Sequence, residues 1–132
     1  MTAHRLATHP IHLGLGATAV PQPAFTGMAW YGDYTARHAA DGTEGRLVSA
    51  YDFTESWDSW EMHPAGDEVV FLMRGEVVLH QECADGTTAA VRLVAGEYGV
   101  IPPGAWHTMD LVTPEASALF ITAGLGTEHR PR

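Results

Sequence analysis

The chain has 132 residues, a net charge of −9 and a hydrophobic fraction of 45%. That length suits one domain with one core, and the acidic balance argues against nucleic acid as a partner, because phosphate binding needs a basic face. Cys83 is the only cysteine, which excludes an internal disulfide and a cysteine-based metal cluster and fits a reducing cytoplasm.

Residues 1–24 carry His4, His9 and His12, three prolines and a Gly14-Leu15-Gly16 step. They read as an irregular N-terminal arm lying on the domain or on a neighbouring subunit, with residues 25–132 forming a single barrel domain. The apolar stretch from Ile11 to Val20 is too short to span a membrane, and His9, Pro10 and His12 spoil it as a signal peptide. No membrane partner is expected.

Phe25 to Tyr34 contains several aromatics and reads as an early strand. His38 to Gly45 reads as a polar loop, Arg46 to Phe53 as a strand and Thr54 to Asp58 as a turn. Beyond it the pattern is regular. Strands are expected over Ser59 to His63, Glu68 to Met73 and Glu76 to Gln81, with a break at Arg74-Gly75. Asp85-Gly86 is a strong hairpin signal. Strands follow at Ala89 to Val94, Tyr98 to Ile101, Trp106 to Val112 and Ala116 to Thr122. Gly124 to Arg132 reads as a polar, mobile tail, with covering of a barrel mouth or a partner as the other reading of His129-Arg130. Short strands broken by Gly and Pro turns indicate an all-β, antiparallel sandwich or barrel.

Two segments carry the chemistry. In Trp60-Glu61-Met62-His63 the second and fourth residues are two apart on a strand and point the same way. Glu68 precedes Val69-Val70-Phe71-Leu72, where an unpaired carboxylate would be costly to bury. His107 closes the second segment, Gly96 to His107. Imidazole and carboxylate groups directed into one apolar cavity make a divalent-metal site. An isolated histidine is more often a satisfied core or surface group; the joint phasing of His63, Glu68 and His107 is what favours a metal. Val70, Leu72 and Met109 share the inward phase. Trp60 and Trp106 should face away from their ligand neighbours, and His80 and Glu82 should be solvated.

These residues resemble the two motifs of the cupin superfamily, a small jelly-roll β-barrel. His63, Glu68 and Gly75 match the first motif in spacing, and Gly96, Pro102, Gly104 and His107 match the second. Glu61 stands where the resemblance expects a histidine, and Leu111 where it expects asparagine. The resemblance implies one divalent ion, of the Mn, Fe, Zn or Ni kind, with Glu61, His63, Glu68 and His107 as ligand candidates. Three readings of Glu61 remain open: a fourth ligand, a general base beside a two-histidine, one-carboxylate triad, or a scaffold residue paired with an arginine. The function implied is a mononuclear metal enzyme acting on a small organic metabolite by isomerase, lyase or dioxygenase chemistry. The alternative is a non-catalytic cupin that binds or senses a sugar or metabolite. A homodimer is expected through the outward apolar row Val69, Phe71 and Met73.

Overall fold

The computed structural model describes residues Met1–Arg132. Its strands are β1 (Ile11–Gly14), β2 (Thr18–Pro21), β3 (Arg46–Phe53), β4 (Ser59–Met62), β5 (Glu68–Arg74), β6 (Glu76–Glu82), β7 (Thr88–Val94), β8 (Tyr98–Ile101), β9 (Trp106–Leu111), β10 (Ala116–Thr122) and β11 (Glu128–Pro131). A helix, α1 (Ala29–Arg37), and a short 3-10 segment over Ala39–Glu44 precede β3. The strands form a six-stranded sheet, β2-β1-β3-β10-β5-β8, and a five-stranded sheet, β11-β4-β9-β6-β7. All pairings are antiparallel, and the result is an all-β jelly-roll barrel.

Alternation builds the core. Along β5, Glu68, Val70 and Leu72 are buried while Val69, Phe71 and Met73 are not. Val77 and Leu79 on β6 and Met109 on β9 meet them from the facing sheet. Period-two patterning therefore places one half of each strand in the core and lets the other half face outward. Along β3, Leu47, Ser49, Tyr51 and Phe53 line a cavity that runs in from one end of the barrel. No helix is long and apolar enough to cross a membrane.

From Arg46 to Thr122 every expected strand is present, with each end within one residue of its expected place. Three expectations elsewhere are corrected. The aromatic run read as an early strand is helical. Trp30, Tyr34 and His38 are four apart, and the Trp30 and Tyr34 rings stack at 5.4 Å. That spacing fits one face of a helix better than the alternation of a strand. Trp30 is buried and its indole donates to the Pro23 carbonyl, so helix packing outweighs the β-preference of its aromatics. The arm is not wholly irregular, because β1 pairs with β2 and with β3. The tail also forms a strand: β11 pairs along β4, with Glu128 opposite Met62 and Pro131 opposite Ser59. Polar residues suit such a sheet edge. Arg130 lies over the outward rings of Trp60 and Trp106, 5.2 and 4.5 Å from their centroids, and donates to Glu82.

Gly75 ends β5 with φ +83°, and a Cβ there would run into the Glu115 carbonyl. Both the left-handed backbone and the close approach exclude a side chain. Gly75→Ala is expected to destabilise the fold by about 2 kcal/mol or more. A urea midpoint unchanged from the native chain would contradict this.

Candidate metal centre

The sheets hold the candidate residues at one end of the barrel. Glu61 on β4 lies directly opposite His107 on β9 in the strand register. His63 follows the end of β4, and Glu68 opens β5 on the other sheet. The spacing of two between Glu61 and His63 thus does bring them together. Glu61, His63 and His107 each offer a ligand atom within 4.8 Å of the others. Glu68 stands between the imidazoles, with Oε2 3.0 Å from His63 Nε2 and Oε1 3.0 Å from His107 Nε2.

These short distances are not hydrogen bonds. His63 Nε2, His107 Nε2 and Glu68 Oε1 are all buried and none has a hydrogen-bond partner. The outer contacts explain why. Thr127 gives its hydroxyl proton to the Gly124 carbonyl, so at 2.7 Å its oxygen can only accept from His63 Nδ1. The ring proton of neutral His63 is therefore on Nδ1, and Nε2 turns a bare lone pair inward. His107 Nδ1 faces the Ala105 carbonyl at 3.5 Å, which favours the same tautomer. Glu68 Oε2 accepts from Thr122 at 2.6 Å, which orients its other oxygen toward His107. With both imidazoles neutral, three electron-rich atoms converge in this buried place, and without an ion the two carboxylates draw a proton toward His63 instead.

The electrostatics agree. Burial pushes the Glu68 carboxyl up, but the neighbouring His107 and His63 outweigh it and hold the group down at about 2. Burial disfavours a charged His63, yet Glu68 and Glu61 beside it raise its pKa above the ordinary value. The two carboxylates thus favour positive charge at His63.

Glu61 is different in kind. Its side chain is 26% exposed, and Oε2 lies 3.8 Å from both inward imidazole nitrogens. Its partner is His129 on β11, with Nε2 3.3 Å from Oε1, and not an arginine. The expectation of a mobile tail is thus corrected at a residue of the site. The sequence reading also passed over Thr122 and Thr127, which lie far along the chain from the groups they orient. A hydroxyl next to a strand end carries no spacing signal by which it could be found.

The residue types fit a divalent ion. Two atoms bonded to one ion at about 2.1 Å and at a right angle lie about 3.0 Å apart. The Glu68 carboxylate lies at that separation from each imidazole, 3.0 Å, through Oε2 to His63 and through Oε1 to His107. Glu61, at 3.8 Å, stands further out.

A second cluster, His12, His38 and Asp41, has ligand-type atoms equally close together, but its groups satisfy one another. His12 Nδ1 meets the Tyr34 hydroxyl and Nε2 meets Asp41, each at 2.6 Å. His38 stacks on His12 at 3.7 Å and contacts the Gln22 amide through Nε2. The cluster ties β1 to α1 and the 3-10 segment. His80 and Glu82 are part-exposed, paired with Asp110 and Arg130.

No family model matches the chain, and no curated protein matches it. Solved structures do. Oxalate decarboxylase of Bacillus subtilis is 14% identical with a TM-score of 0.55, over 74% of this chain and 26% of that one. One study of that enzyme concerns its Mn(II) centres. An oxalate oxidase is 23% identical with a TM-score of 0.58, over 70% of this chain and 50% of that one. The chain spans half or less of the length of these neighbours.

Proposed function

The barrel is a cupin fold, and from that premise we propose that it holds one divalent metal ion on His63, Glu68 and His107 and is an enzyme acting on a small organic metabolite. The observation that carries this reading is the set of buried, unpartnered atoms: two imidazole nitrogens with bare lone pairs and one carboxylate oxygen. Leaving three such groups unmade is costly, and a cation among them removes the cost. Bound there, the ion would supply Lewis-acid polarisation of a substrate carbonyl or enolate oxygen. The chain's own residues do the rest. Thr127 and Thr122 hold His63 and Glu68 in place. Glu61, part-exposed on the cavity wall and backed by His129, takes and returns a proton. A Glu61 that coordinates the ion is the competing reading of that residue.

Oxalate, after which both neighbours are named, does not carry over readily. It is a dianion, and no arginine lines this cavity. Isomerase- or lyase-type proton transfer suits a carboxylate base beside a metal, and dioxygenase chemistry suits the same triad loaded with Fe(II). A non-catalytic sensor would use the same ion and show no turnover.

The test is metal binding by untagged protein. Titration with Zn(II) or Mn(II) should saturate at one ion per chain, and Thr127→Val should weaken binding by about 10- to 100-fold, the usual cost of losing an outer partner. No binding by the native chain would end the reading. We also propose a homodimer through the outer face of β5, where Phe71 is half-buried and Met73 exposed. Sedimentation that shows only monomer at micromolar concentration would contradict it.

A further inference from the structure

The cavity in front of the candidate centre has a volume of about 1050 Å³, just above the roughly 300–1000 Å³ of small-molecule sites. One wall of it is aromatic. Ring centroids run from His107 to Trp57 at 6.1 Å, Trp57 to Phe120 at 6.0 Å, Phe120 to Phe53 at 6.2 Å, Phe53 to Tyr51 at 6.4 Å and Tyr51 to Phe25 at 5.7 Å. Tyr31 of α1 closes the row, 5.4 Å from Phe25. These rings come from separate segments, namely the chain before α1, α1 itself, β3, the turn after it, β9 and β10. Part of this surface is not spent on the main core. Phe120 belongs to the buried cluster, which draws on β5 to β10, whereas the rings of Tyr51, Phe53 and Trp57 pack only partly buried against it.

The polar groups along this wall are neutral donors. The Tyr31 and Tyr51 hydroxyls meet at 2.5 Å, so one donates to the other. Burial raises both phenols above their ordinary pKa, which keeps them protonated. There is no fixed cation to set against a second anionic group. All seven basic residues are arginines, and none is on the cavity wall. Two carboxylates, Glu61 and Glu68, already stand beside the ion's place and match a divalent charge. A small dicarboxylate would bring two full negative charges into a partly desolvated site with no arginine, whereas a hydroxy-ketone or a singly ionised catechol brings at most one.

We propose that the site binds a planar, conjugated small molecule with two adjacent oxygens, of the catechol or aromatic hydroxy-ketone class, its oxygens at the metal and its ring along the aromatic wall. This rests on the metal reading above and goes beyond it by assigning the substrate class. Three protein ligands leave coordination positions for both oxygens. Stacked and edge-on contacts with the wall supply affinity that an aliphatic acid cannot collect.

The experiment uses the full chain loaded with Zn(II), with zinc content measured before and after titration, and two probes, nitrocatechol and oxalate. Nitrocatechol should bind at least about 10-fold more tightly than oxalate and leave the zinc on the protein. Phe25→Ala and Tyr31→Ala should each weaken nitrocatechol by up to about 10-fold, with zinc content and oxalate affinity unchanged. Oxalate binding as tight as nitrocatechol, removal of the zinc by nitrocatechol, or full nitrocatechol affinity in both variants would overturn the substrate class and leave the metal centre standing. A native chain that takes up no zinc would remove the metal centre, and this proposal with it.

Discussion

Glu68→Gln is expected to reduce metal affinity by more than about 100-fold, beyond the 10- to 100-fold typical of losing an outer partner. Glu68 is 2% exposed and is the one residue in close contact with both inward imidazoles. The amide keeps the size but removes the charge that balances the ion. The neighbouring imidazoles hold the native carboxyl well below its ordinary pKa, so the metal-free variant should also lose the stability that the ionised group contributes near neutral pH. A merely structural Glu68 would show that loss of stability with metal affinity unchanged. Calorimetric metal titration and thermal unfolding of metal-free protein measure both.

The second large effect is at Glu61, where the two functional readings diverge. Glu61→Gln should leave metal affinity near that of the native chain and lower turnover by about 10²-fold or more if the residue moves protons. Its exposure, its separation of 3.8 Å from both imidazole nitrogens and its contact with His129 favour that outcome. If Glu61 is instead a ligand, affinity should fall in Glu61→Gln, and Glu61→His should restore it with a shifted preference toward metals that favour imidazole. Metal content and activity both unchanged in Glu61→Gln would return the residue to the scaffold.

Much of this site is legible in the sequence because strand geometry translates spacing into direction. Glu61 and His63 share a face across one intervening residue, and the run after Glu68 alternates cleanly between core and surface. Turn chemistry at Gly75 and Asp85-Gly86 marks where the strands break. What was not legible is held by contacts between distant segments. The proton position on His63 depends on Thr127, 64 residues later in the chain. The last strand is four polar residues whose pairing with β4 puts His129 against Glu61, and nothing in its composition separates it from a mobile tail. The aromatic run before β3 misled for a physical reason. Tryptophan and tyrosine favour strands as isolated residues, whereas here a four-residue spacing lets Trp30 and Tyr34 stack on a helix that forms part of the cavity wall.

The central claim is that the convergent atoms of His63, Glu68 and His107 hold a metal ion. Anomalous diffraction at the zinc edge, from crystals of the untagged chain grown with Zn(II), tests it most directly. One strong peak should lie within about 2.0–2.2 Å of His63 Nε2, His107 Nε2 and a Glu68 oxygen. A map with zinc only at the His12, His38 and Asp41 cluster or at surface histidines, and none between these three residues, would contradict it.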